Sequence, residues 1–239
     1  MIMQDQITDS WTPNRKVTDH ELPTVFVVDP DPSTGMFVKG VLTGYPFEVQ
    51  TFVSGREFFA AYNGRQPGCL VLEQRIADTS GLQIQRRLTE KRQRLPMVYV
   101  SSSIDVSTAV VLMRGGAVHI LEKPLRSVEL FGAIQEALAL DKSQRQQESD
   151  KRRIRESIAM LTHKERKLVR LLATASSNKS ISEELSICAR AVELRRRAVM
   201  EKLSLGSPME LVRFALLAQE EINGLLDAGG CERDDTQFD

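Results

Sequence analysis

The sequence is short of the residues from which metal sites, disulfide scaffolds and membrane spans are made. Its 239 residues include three cysteines, Cys69, Cys188 and Cys231, and three histidines. The cysteines lie far apart at no metal-ligand spacing, and so few scattered thiols point to a reducing compartment. No apolar run approaches the roughly 18 residues of a membrane span, and the N-terminus has no signal-peptide pattern. A cytoplasmic protein without membrane contact is expected. Hydrophobic content of 41% and charged content of 27% suit a globular chain, long enough for two small domains or one large one.

Net charge is absent too, but only in sum. Residues 142–219 carry seventeen Lys and Arg against nine Asp and Glu, a balance of +8, so the rest of this neutral chain carries −8. Such an asymmetry suggests a half that binds nucleic acid.

The run Cys69-Leu70-Val71-Leu72-Glu73 is apolar on both faces, as in a central parallel strand buried between helices. It ends in a carboxylate, at the strand end where open α/β sheets place their sites. Four further strand patterns flank it, at 24–28, 47–52, 97–100 and 118–121. Helix patterns alternate with them. Pro32 opens the first, Ser54 and Glu57 form a capping box for the second, Leu82 begins the third, Asp105 caps the fourth and Ser127 the fifth. Five alternations give an α/β fold, a doubly wound five-stranded parallel sheet of flavodoxin-like order. Its strand ends bring Asp29, Asp31, Glu73, Ser101 and Lys123 to one rim. Residues 1–22, with the lone Trp11, read as a disordered segment and 23–140 as this first domain. Residues 141–158, charged and free of Gly and Pro, read as a helical linker that can run on from the preceding helix, either solvated or paired with its twin in a dimer.

From Leu161 the chain turns basic and helical. Thr162 and Glu165 form a capping box. Four helix patterns follow, beginning near Thr162, Asn178, Arg190 and Pro208, so 159–222 reads as an all-α four-helix domain and 223–239 as a polar tail.

The ordered set Val27-Val28-Asp29, Thr79-Ser80-Gly81, Gly116-Ala117-Val118, Glu122-Lys123-Pro124, Leu161-Thr162, Asn178-Lys179, Ile181, Leu185, Val192-Glu193, Arg196 and Val199-Met200-Glu201-Lys202-Leu203 resembles the FixJ-like response regulators of the NarL/LuxR class. The resemblance implies a receiver domain followed by a helix-turn-helix DNA-binding domain. In that family a strand-end Asp accepts a phosphoryl group with Mg²⁺ bound, an acidic pair after the first strand helps hold the metal, and a Ser/Thr and a Lys contact the phosphoryl oxygens. Asp29, Ser101 and Lys123 match. The acceptor position is Glu73, the second acidic position is Pro30, and the aromatic switch position is Ile120. Proline offers no oxygen to a metal that demands tight octahedral oxygen ligation, and Asp31 would have to reach in from another direction. Glutamate is one methylene too long for in-line phosphoryl transfer, and that length lets it meet Lys123 and Ser101 directly. The receiver therefore reads as degenerate, with no cofactor and no phosphate switch. Asp78 reads as a solvated loop carboxylate.

In a helix-turn-helix the second helix enters the major groove. Here it holds Arg190, Glu193, Leu194, Arg195, Arg196 and Arg197. The resemblance puts Glu193, Leu194 and Arg197 toward the bases. Asn178 and Lys179, at the preceding helix start, together with Arg190 and Lys202, are placed for phosphates. Ala191 stands where the family usually has Thr. Leu211, Val212, Ala215 and Leu216 form a candidate dimer stripe. The expected function is a sequence-specific regulator of transcription that binds double-stranded DNA as a homodimer. The rival is an interaction module whose receiver binds another regulatory protein. An enzyme is not expected: the rim has no base–nucleophile pair.

Overall fold

The computed structural model describes residues 22–174 and 177–228. The expected lead-in before Leu22, including Trp11, and the tail from Gly229 lie outside the described residues. The chain separates into two compact units that meet at Gln147 and Glu148.

The first unit holds strands β1 (Thr24–Val28), β2 (Glu48–Phe52), β3 (Gly68–Glu73), β4 (Met97–Ser101) and β5 (Ala117–Glu122). All pair in parallel in the order β2-β1-β3-β4-β5. The three inner strands are buried along their whole length, while β2 and β5 at the edges are partly exposed. Alternate residues of the inner strands feed two apolar layers. Phe26, Leu70, Leu72 and Tyr99 pack with Phe58, Ile84 and Leu88 on one face, and Val25, Val27, Val71 and Val98 pack with Val38, Leu130 and Ile134 on the other. Cys69 lies in the second layer, and burial pushes its thiol pKa well above the ordinary value. It is a packing residue.

Helices α1 (Pro32–Val41), α2 (Gly55–Ala61), α3 (Gly81–Glu90) and α4 (Val106–Arg114) connect the strands. Their starts follow the capping chemistry of the sequence. Asp31 accepts from the Ser33 N–H and Asp105 from the Thr108 N–H, both at 2.9 Å. Ser54 caps α2 through the Glu57 N–H, but the Glu57 carboxylate turns back to the Val53 N–H rather than to Ser54. Asp78 is exposed in its loop, as read from the sequence, and in addition its two oxygens accept the Gly55 and Arg56 N–H groups at 3.0 Å each, closing the first turn of α2. Those two hydrogen bonds, Arg56 first, hold its carboxyl below the ordinary range.

Helix α5 (Ser127–Ala159) runs unbroken for 33 residues, so the helical stretch 141–158 continues the preceding helix. Asp141 is buried against the first unit, and Ile154 and Ile158 are buried in the core of the second. The second unit adds α6 (His163–Thr174), α7 (Asn178–Glu184), α8 (Ala189–Lys202) and α9 (Pro208–Ala228). Leu168, Ile181, Val192, Val199, Leu211, Phe214 and Ala215 pack in its core. The Thr162–Glu165 capping box forms, with Glu165 accepting from the Thr162 N–H at 2.7 Å. Helix α9 continues past 222, where a tail was expected, because buried Ile222 extends its apolar stripe.

Candidate functional site

The rim gathers at the C-terminal ends of β1, β3, β4 and the β5–α5 connection. A shallow cleft of about 270 Å³ is lined there by Asp29, Pro30, Asp31, Glu73, Arg75, Ser101, Ser102 and Lys123. The Lys123 ammonium donates to Asp29 Oδ2 at 2.7 Å and to Glu73 Oε2 at 2.9 Å. The other Asp29 oxygen accepts the Asp31 N–H at 2.8 Å. The other Glu73 oxygen accepts the Gln74 and Arg75 N–H groups at 2.7 and 3.3 Å. The meeting of Glu73 with Lys123, expected from the extra methylene, is therefore direct.

The charges settle each other. Burial alone would push the Glu73 carboxyl up. Hydrogen bonds from Lys123, Ser101 and the Arg75 N–H outweigh burial and hold it below the ordinary carboxylate value. Burial would likewise push Lys123 down, but hydrogen bonds and charge from Asp29 and Glu73 hold its ammonium above the ordinary lysine value. Ser101 Oγ donates to the Ser103 carbonyl at 3.4 Å, and its hydroxyl also helps hold the Glu73 carboxyl below the ordinary value.

The rim offers Mg²⁺ a poorer donor set than a paired-acid rim: Pro30 has no side-chain oxygen, each carboxylate oxygen of Asp29 and Glu73 already accepts a hydrogen bond, and Asp31 Oδ1 caps α1. Among the described residues no group of three or more His, Cys, Asp or Glu is arranged to hold a metal ion. Ile120, at the switch position, is partly buried against the layer that holds Tyr99. His119, on the same strand, contacts Glu136 at 2.7 Å.

The second candidate site is the outer face of α8. Arg190, Glu193, Leu194, Arg197 and Glu201 are exposed, and their spacing puts them on one stripe of the helix. Val192 and Val199 are buried on the opposite side. Arg195 and Arg196 flank the stripe, half-buried. Arg196 does not point freely outward: its Nη1 donates to Asn178 Oδ1 at 2.6 Å, while Asn178 Nδ2 donates to Glu193 Oε1 at 2.8 Å. Lys202 was expected at a phosphate. It donates instead to the Glu165 carboxylate at 2.8 Å, where its charge completes the capping box of α6. Lys179 is exposed. Cys188 stands at the N-cap of α8 without a side-chain capping bond, and Ala191 adds no hydroxyl to that turn.

The dimer stripe divides. Leu211 and Ala215 are fully buried in the second unit's own core and cannot face a partner, because 3.6-residue periodicity turns them inward. Val212 is partly exposed and Leu216 is 52% exposed, on the outward side. The sequence reading missed two groups. Arg75 lines the rim. Asp141 and Arg145 strap α5 to the start of β3, through Asp141 to the Gly68 N–H and Arg145 to the Arg65 carbonyl. Their i,i+4 spacing was visible, but their distant partners were not.

The family described as response regulator receiver domain matches residues 25–135, and that described as bacterial regulatory proteins, luxR family, matches residues 159–215. The transcriptional regulatory protein TdiR of Thauera aromatica is 32% identical over 193 residues, covering 81% of this chain and 85% of TdiR. The transcriptional regulatory protein FixJ of Azorhizobium caulinodans is 31% identical over 194 residues, covering 81% of this chain and 92% of FixJ. The solved structure of the response regulator StyR matches with a TM-score of 0.71 at 33% identity, covering 80% of this chain and 97% of StyR.

Proposed function

We propose, for a chain that belongs to the response regulators carrying a LuxR-family DNA-binding domain, that it is a sequence-specific transcription regulator of the cytoplasm whose receiver works without aspartyl phosphorylation. The observation that carries this reading is the Lys123 ammonium held between Asp29 and Glu73. In a phosphate switch that lysine must be available to a phosphoryl oxygen. Here a permanent carboxylate has it. The rim then holds one settled conformation, and the receiver serves as a dimerisation or partner-binding module. The two units each carry one half of that account, a fixed rim and a basic helix.

For DNA binding the support is the α8 stripe. Arg190 and Arg197 bracket Glu193 and Leu194 on the exposed face of the helix that enters the major groove in such domains. Lys179 is exposed at the start of α7 and placed for a phosphate, while both ends of the neighbouring Asn178 amide are taken by Arg196 and Glu193. Dimerisation through Val212 and Leu216 would set two half-sites about one helical turn apart. Arg197→Ala is expected to weaken binding to a selected site about tenfold or more, in line with the roughly 1–3 kcal/mol of a base-edge contact, while binding to unrelated duplex falls far less. Gel-shift titration on both DNAs checks this; equal losses would contradict it.

A second reading has an observation of its own. Val106, Val110 and Met113 share one face of α4, and Val106 is 81% exposed. On that reading the receiver docks another regulatory protein and DNA contact is secondary. Light scattering with gel shifts separates the two. A stable dimer with tight selected sites supports the first; a monomer with weak, salt-sensitive binding supports the second.

A further inference from the structure

Asn178 and Arg196 were both expected to touch DNA, yet the structure turns them toward each other. The Asn178 amide uses both ends. Its Oδ1 accepts from Arg196 Nη1 at 2.6 Å and its Nδ2 donates to Glu193 Oε1 at 2.8 Å. This joins the first residue of α7 to two residues of α8. A primary amide has a fixed donor end and a fixed acceptor end. Arg196 can only donate, so it selects the amide orientation whose nitrogen faces Glu193. The chain of bonds has one direction, from Arg196 through Asn178 to Glu193.

The helix geometry assigns different tasks to its members. At 100° per residue, Arg196 lies about 100° round the helix from Arg197, off the exposed stripe and half-buried. Glu193 is on the stripe. With Oε1 held by Asn178, Oε2 of this exposed side chain is left to accept from a ligand. A glutamate in the major groove accepts a hydrogen bond from the exocyclic amino group of cytosine. A flexible glutamate does so poorly, because ordering its side chain costs about 1.5–2 kcal/mol and its charge repels phosphates. A glutamate fixed by a neutral amide, with an arginine beyond, has that cost met in advance.

We propose that Asn178 and Arg196 are positioning residues whose clasp fixes Glu193 as the reader of a cytosine in each half-site. The inference rests on the DNA-binding reading above and deepens it. Base choice at that one position then depends on three residues, of which one touches the base. Each is exposed or half-buried at the surface, so replacing them leaves the core of the domain intact.

The test is selection of binding sites by the full-length chain from a pool of randomised duplexes, with salt titrations on the selected site. Wild type is expected to show a cytosine preference in each half-site that Glu193→Ala loses. Asn178→Ala and Arg196→Ala are expected to lose preference at the same base pair, and the Asn178→Ala/Arg196→Ala double variant to be no worse than either single, as for residues acting through one network. Arg196→Ala should leave the salt slope unchanged. A direct phosphate contact would instead lower that slope by about 0.9 and leave the cytosine preference in place. That result, or multiplicative losses in the double variant, would overturn the clasp. Failure of wild type to select any site would overturn the DNA-binding reading itself, and the clasp with it. Thermal melting of each variant guards against loss of fold, and Arg197→Ala is the control that should change a different base pair.

Discussion

Lys123→Met is expected to lower the stability of the receiver domain by about 3–5 kcal/mol at neutral pH, the range for removing one partner of a buried ion pair. The change keeps most of the side-chain volume and removes only the charge. Two carboxylates then remain with side chains 3% and 10% exposed, Asp29 and Glu73, no longer bridged by a cation. Each loses its shortest or nearly shortest hydrogen bond, and each repels the other. Adding Glu73→Gln to Lys123→Met should recover part of the loss, because a neutral amide no longer needs a counter-charge. Urea titration of the three variants measures this. A loss under about 1 kcal/mol for Lys123→Met, the range of an exposed pair, would show that the lysine does not hold the rim.

The pH dependence has a definite sign. Glu73 is held below its ordinary value of 4.5, so its contribution is present above that value and is lost as pH falls through the lower folded one. Lys123 is held above its ordinary value of 10.5, so its contribution is complete below that value and is lost as pH rises through the higher folded one. The bridge therefore stabilises the receiver across the whole interval between the two ordinary values. Lys123→Met should remove that plateau, and the gap from wild type should narrow as acid protonates Glu73.

Asp141→Ala is expected to cost about 2–4 kcal/mol, from a lost buried ion pair and an unsatisfied buried N–H. Asp141 accepts the Gly68 N–H at 2.9 Å and binds Arg145 at 2.7 Å. Arg145 in turn donates to the Arg65 carbonyl at 2.7 Å and to the Gln66 carbonyl at 2.5 Å. Gly68 cannot be replaced there by a residue with a side chain, because a Cβ would lie 1.9 Å from the Thr24 carbonyl oxygen. The larger end of the range is discounted because the Arg145 side chain is 35% exposed and can turn to water. Asp141→Asn should be milder, since the amide oxygen still accepts from Gly68. Thermal melting separates these variants; equal melting temperatures for Asp141→Ala and wild type would remove the strap from the account.

The central strands were legible because burial on both faces leaves an unbroken apolar run, as at Cys69–Leu72. The rim was legible because strand ends in a parallel sheet converge, and one methylene in Glu73 is enough to reach Lys123. The strap was not legible. Asp141 and Gly68 are 73 residues apart, and nothing local in 141–145 distinguishes a buried aspartate from a solvated one. The capping role of exposed Asp78 was not legible for the same reason: its partners, Gly55 and Arg56, belong to another element. In the stripe at 211–216 some residues had to face the core, but four apolar residues within six fit two faces of a helix and do not say which. Only the packing of Leu211 and Ala215 beside Phe214 separates inward from outward. In α8 the resemblance already turned Arg197 toward the bases, but the engagement of Arg196 was not legible, because its partner Asn178 lies on a different helix.

The central claim is that a fixed carboxylate at position 73 holds the lysine that a phosphoryl group would need. The most direct measurement is intact mass of the full-length wild-type chain after incubation with a small-molecule phosphodonor and Mg²⁺. The account predicts an unchanged mass. A stoichiometric gain of one phosphoryl group would contradict it.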